Sequence, residues 1–191
     1  MKRFIIFVGV MLLFTIFSAC SSQTSLQLIN SNVSIINDKS KIGSMVITEG
    51  DKKGQELVST ALYYEFTIKN AGNKSIGSME KGKDLQIKIV PNNKLETTSK
   101  EVVGFNIFNP SSYVYTGVGY GHIFTPILKA GEEGKFVLYY DLGVSEKNPQ
   151  VTLMIPSSEK LKKLQDDALD ASLVVMLEGT EVARFALIKK W

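Results

Sequence analysis

The chain has 191 residues, 22 of them basic and 19 acidic, for a formal charge of +3 at pH 7. A surplus that small gives no electrostatic case for nucleic acid. One cysteine excludes an intrachain disulfide, and one histidine argues against a zinc or copper site, which usually needs several His or Cys ligands.

The N-terminus differs in character from everything after it. Lys2 and Arg3 precede an uncharged apolar run, Phe4 to Phe17, and then come Ser18, Ala19 and Cys20. A basic start, a short apolar stretch and small residues at a cleavage point mark a secretory signal. Fourteen helical residues would span only ~21 Å against a hydrocarbon core of ~30 Å, which disfavours a stable membrane span. Phe17-Ser18-Ala19-Cys20 resembles the lipobox of bacterial lipoproteins, matching at its last three positions and departing at Phe17, where the family usually has an aliphatic residue. The resemblance implies cleavage after residue 19, a diacylglycerol on the Cys20 thiol, and attachment to the outer face of the cell membrane. Two acyl chains suffice for stable anchoring. Removal of residues 1–19 would leave 20 basic and 19 acidic side chains, so much of the positive charge belongs to the signal. The remaining ~170 residues are enough to bury a core without disulfides.

Residues 20–32 are expected to form the lipidated cysteine and a flexible polar tether, followed by one domain over 33–191. Alternation dominates that domain. Leu62, Tyr64, Phe66 and Ile68 are apolar while Tyr63, Glu65, Thr67 and Lys69 intervene, the period of a half-buried strand that stops at Asn70-Ala71-Gly72-Asn73. Leu85, Ile87 and Ile89 predict a second strand, and Val103, Phe105 and Ile107 a third. Phe136, Leu138, Tyr140 and Leu142 predict a fourth, and Val151, Leu153 and Ile155 a fifth. Residues 173–177 and 182–188 flanking Glu178-Gly179-Thr180 predict a hairpin, and Ser44 to Thr48 is expected as an additional strand. Seven or eight short strands separated by turns predict a mainly β antiparallel sandwich. One short α-helix near the C-terminus is expected from Ser157 or Ser158 as N-cap to Ala171, with Leu161, Leu164 and Ala168 on its apolar stripe and Glu159 and Lys163 as an i,i+4 pair.

Chemistry-bearing motifs are sparse. Ser111 or Ser112 with His122 and Asp141 could be drawn as a hydrolase set, but nothing in their spacing supports it. Asp166, Asp167 and Asp170 diverge on a helix and read as a solvated face rather than a calcium site. The unusual stretch is Asn109 to Pro126, where Tyr113, Tyr115, Tyr120, His122 and Phe124 alternate with Gly117, Gly119 and Gly121. Aromatic rings offer large rigid contact area and glycines permit unusual backbone angles. Tyr113, Tyr115, Tyr120 and His122 are therefore the candidate partner-binding residues; the competing reading puts part of the segment in a strand or hairpin. Tyr63 and Tyr139 would form an aromatic patch if paired across a sheet.

Leu62 to Asn70 (LYYEFTIKN), followed far downstream by Leu128-Lys129-Ala130-Gly131-Glu132-Glu133-Gly134-Lys135-Phe136, resembles the immunoglobulin-like domains of Gram-positive lipoproteins. The Pro156 to Leu187 segment is similar to their helix-plus-hairpin tail. The resemblance implies an immunoglobulin-like sandwich on the cell envelope and carries no catalytic residues. The function expected is a non-enzymatic binding or interaction module with no cofactor and a protein or cell-wall partner. The rival expectation is a structural or stress-related accessory subunit of an envelope complex, docking through its β edges or its helix.

Overall fold

The computed structural model describes residues 25–187. The signal segment 1–19, Cys20 and residues 21–24 lie outside the described residues, as do 188–191.

Long alternating segments make the central sheet. β1 (Leu26–Ile36), β4 (Thr60–Asn70), β9 (Glu133–Gly143) and β7 (Tyr120–Ile123) pair antiparallel in the order β1-β4-β9-β7. In β4 the even positions Leu62, Tyr64, Phe66 and Ile68 are buried, as their period predicts, and Phe136, Leu138 and Tyr140 of β9 lie against the same core. A second, three-stranded antiparallel sheet runs β11 (Thr180–Ala186), β10 (Ala171–Leu177), β6 (Leu85–Pro91). The β10–β11 hairpin turns on Glu178 and Gly179, both at positive φ, 51° and 75°, which matches the right-handed twist of its strands. Two short ladders complete the strands: β2 (Met45–Val46) with β3 (Glu56–Leu57), and β5 (Ile76–Gly77) with β8 (Ile127–Leu128).

Both larger sheets feed one core. Leu62, Tyr64, Phe66, Phe136 and Leu138 from the first share it with Leu85, Ile87, Ile89, Leu173 and Val175 from the second. Helices α2 (Asn93–Val103) and α3 (Ser158–Asp167) add Leu95, Val102 and Leu164, while the single-turn α1 (Lys39–Ile42) buries nothing. Tyr64 has no solvent exposure and donates its hydroxyl to the Ala168 carbonyl at 2.9 Å, tying the first sheet to the end of α3. Among the described residues no helix is long and apolar enough to cross a membrane.

The structure is mainly β with antiparallel sheets, but it has three helices where one was expected, and several boundaries differ. β1 begins at Leu26, inside the stretch read as a tether, and its hydrogen bonding to β4 overrides the polar composition of QLINSN. The third expected strand does not form. Val103 ends α2, whose N-cap Asn92 accepts from the Leu95 amide at 3.0 Å and whose C-cap Gly104 sits at φ 98°. Ser99 then holds the returning chain, donating to the Phe105 carbonyl at 2.9 Å and accepting from the Ile107 amide at 3.0 Å. The fifth expected strand reduces to a single parallel bridge, Val144 with Met154. Ser44 to Thr48 contributes only the two residues of β2.

The C-terminal helix starts where predicted, with Ser157 as N-cap, and buries Leu164 and Ala168. Its ion pairing differs. Lys163 bonds Glu101 on α2 at 2.5 Å instead of Glu159. Asp167 and Asp170, unfavourably placed for the helix dipole, are each met by Lys94 of α2 at 2.7 Å. Partial burial pushes the Asp167 carboxyl up, but bonds from Lys94 and Thr98 outweigh this and leave it below the ordinary carboxylate range.

Candidate binding site

The aromatic and glycine-rich segment folds against the end of the first sheet, and short side chains set its course. Asn109 accepts from the Ser111 amide at 3.2 Å and opens a 3₁₀ turn over Pro110–Tyr113. Tyr113 then turns inward. It is 7% exposed, crosses Phe105 edge-on at 5.1 Å, and donates its hydroxyl to the Asp141 carbonyl at 3.1 Å. Burial pushes its hydroxyl pKa well up. Tyr113 is thus packed into the core, unlike the other aromatic residues expected to contact a partner.

Tyr115 is its opposite. It is 94% exposed and holds φ at 66°, the left-handed region that costs an ordinary L-residue ~1–2 kcal/mol. Its neighbours keep it there. Thr116 donates to the Tyr113 carbonyl at 2.8 Å, and Thr152 donates from its hydroxyl to the Tyr115 carbonyl at 3.2 Å. Gly117, at φ 79°, passes so close to the Gln150 carbonyl that a Cβ would lie 1.9 Å from that oxygen. Val114, 58% exposed, stands beside Tyr115. The tip therefore holds the Tyr115 ring and much of Val114 in water on a braced backbone.

Beyond the tip the chain enters β7, the edge of the sheet. Tyr120 pairs with Tyr140 and remains 46% exposed; Ile123 pairs with Val137 and is 57% exposed. His122 is exposed and stacks on Phe124 at 4.8 Å. Gly121 faces Tyr139, whose ring occupies the space a Cβ would need, the nearest ring atom being 2.3 Å from it. Tyr139 in turn is the cross-strand partner of Tyr63. The expected pair exists, but Tyr63 is only 5% exposed, and Lys41 places its ammonium 5.0 Å from the Tyr63 ring centre.

Asp141 joins these parts. β9 carries a bulge here, pairing Asp141 with Ala61 and Gly143 with Thr60. Asp141 as a residue is 8% exposed; Ser59 donates its hydroxyl to Oδ1 at 2.6 Å and the Gly119 amide donates to Oδ2 at 2.9 Å. Its own amide donates to the Gly119 carbonyl at 2.9 Å. Burial pushes the carboxyl above its ordinary range, against those two bonds. A cleft of about 290 Å³ opens over it, walled by Ile42, Met45, Tyr120 and Tyr139 with Ser59 and Asp141 in the lining. No match emerges from comparison with protein-family models, curated proteins or solved structures.

Of the four residues expected to bind a partner, Tyr115, Tyr120 and His122 are exposed and Tyr113 is not. Sequence reasoning missed Ser59 and Asp141 as parts of this surface. Asp141 breaks the apolar run of its strand as the one acid among Leu138-Tyr139-Tyr140-Asp141-Leu142, which was the available signal. The hydrogen bonds of Asp141 run to Ser59 and Gly119 and do not join it to His122. Among the described residues no group of three or more His, Cys, Asp or Glu side chains is placed to hold a metal ion. Two other clefts, of about 350 and 330 Å³, are lined by open sheet-face residues such as Asn32, Glu65 and Lys135, and by loop residues such as Asp51 and Lys52. Neither includes a buried polar side chain.

Proposed function

We propose that this protein is a lipid-anchored, extracytoplasmic, non-enzymatic binding module, its acyl chains on Cys20 and its two larger sheets packed face to face as an immunoglobulin-like sandwich. The partner surface is the sheet end formed by Tyr115, Tyr120 and the Asp141 cleft. One observation carries the reading: Tyr115 combines 94% exposure with a left-handed backbone. The ring buries almost no surface on folding, and strain of this kind concentrates at functional sites. Large rings with a polar tip dominate the energetics of protein contacts, which suits a tyrosine held in this way. The shared core of the two sheets supports the sandwich.

The test uses the full chain in intact cells. Tyr115→Ala with Tyr120→Ala should remove most of the partners recovered by cross-linking and mass spectrometry, while the melting temperature stays within a few degrees. Tyr113→Ala is unsuitable, since it would empty a core site. Cys20→Ala should release the protein from membranes. Unchanged cross-links in the double variant, or continued membrane retention of Cys20→Ala, would overturn the corresponding part of the reading. Cross-links running through α3 instead would favour an accessory subunit docked by its helix.

A further inference from the structure

The cleft floor carries a buried carboxyl group without a counter-ion. Each Asp141 oxygen receives one described donor, Ser59 at Oδ1 and Gly119 at Oδ2, and a carboxylate accepts about four. None of the ion pairs among the described residues includes Asp141. Buried charges are normally paired, and one left unpaired is costly to the fold. The other lining side chains are the apolar Ile42, Met45 and Leu57, the rings of Tyr120 and Tyr139, and the uncharged Ser44 and Ser59, so Asp141 is the only charged side chain in the lining. An anionic ligand would meet repulsion and no cationic partner.

Three features narrow the ligand. At about 290 Å³ the space is at the small end for ligand pockets and suits a single side chain or a small amine. Ile42, Met45 and the tyrosine rings would hold an aliphatic stem. Lys41, one residue before the cleft wall, already rests its ammonium 5.0 Å from the ring of Tyr63, the strand partner of Tyr139. A tyrosine ring beside the cleft therefore already holds that chemical group.

We infer that the Asp141 cleft binds a primary ammonium group on an aliphatic stem, as presented by a lysine side chain. The inference rests on the sheet end being a binding surface. The ammonium donates to the open positions of the Asp141 carboxylate, and its stem lies between Tyr139 and the Ile42–Met45 wall. A charge-assisted bond of this kind is about twice as strong as a neutral one.

The full chain, purified in detergent, is titrated with Nα-acetyl-lysine methylamide, n-butylamine and Nα-acetyl-norleucine methylamide while the Gly119 amide and Tyr139 ring resonances are followed. The two amines should shift both resonances saturably and the norleucine compound should not. Tighter binding of the lysine compound assigns the site to peptide lysines; equal binding assigns it to any alkylammonium. Asp141→Asn should weaken amine binding by about tenfold or more while retaining a cooperative melt. Should that variant fail to fold, the wild-type comparison of lysine with norleucine still decides. Equal shifts from all three compounds, or none, overturn the inference. If the amines fail while the Tyr115 and Tyr120 variants still lose their partners in cells, only the ligand class falls; if both fail, so does the binding surface.

Discussion

Replacing Tyr115 with glycine should stabilise the protein, against the usual outcome of removing a large aromatic side chain. At 94% exposure the ring has almost no burial to lose. The backbone at φ 66° costs an L-residue ~1–2 kcal/mol, a penalty glycine does not have. Glycine brings its own cost, the greater freedom of the unfolded chain, worth ~0.4–1 kcal/mol. The difference leaves a net gain between about 0 and 1.6 kcal/mol, centred near 0.8, or a rise in melting temperature of ~2–3 °C at that centre for a domain of this size. The bonds that brace the tip engage the Tyr115 carbonyl and Thr116, so they survive the change. Differential scanning calorimetry and urea denaturation, run side by side, give the sign and the size. Tyr115→Ala keeps the strain and should be close to neutral, so the pair separates backbone from ring. A loss of stability in Tyr115→Gly above about 0.5 kcal/mol would show that the ring packs on something or that the backbone is not left-handed, and would remove the argument that the residue is kept for binding.

Tyr64→Phe keeps the ring in the core but leaves the buried Ala168 carbonyl without its donor, and should cost ~1–3 kcal/mol in urea denaturation; a neutral result would refute the bond as a tie between sheet and helix. Asp141, whose carboxyl is raised by burial, holds more protons folded than unfolded between the ordinary carboxylate range near pH ~4 and its folded pKa. Its contribution to stability is therefore present below that window and is lost as pH rises through it. Stability measured against Asp141→Asn across pH 4 to ~8 should fall and then level off; a difference that grows with pH would reverse the sign.

Legibility followed the kind of force that makes each element. Strands that bury one face carry a period of two, and β4, β6, β9 and the β10–β11 hairpin could be read from it. At Val103, Phe105 and Ile107 the same period misled. The local signals there were Asn92 before and Gly104 after a segment with Leu95, Thr98, Ser99 and Val102 at helical spacing, and two of those four are polar enough to hide the stripe. β1 was hidden for the opposite reason. Its asparagines and serines look like a linker, and only pairing with β4 makes them a strand. For the site, the sequence located Tyr115, Tyr120 and His122 by composition but could not tell Tyr113 from them, because its burial against Phe105 and Asp141 depends on tertiary packing that no local pattern encodes. Ser59 and Asp141 lie 82 positions apart and meet only through the bulged pairing of two strands.

The early start of β1 limits how far the described body can stand from Cys20. From Cys20 to Ser25 the polypeptide can reach at most ~18 Å in any conformation. Leu26 lies opposite Asn70 at one end of the sheet, and Ile36 lies opposite Ala61, the residue facing Asp141, at the other. Eleven strand residues separate those ends by ~35 Å. Were Cys20 to carry the acyl chains proposed for it, a body upright on that short leash would hold the tyrosine tip and acidic hollow at its summit, on the side away from the bilayer.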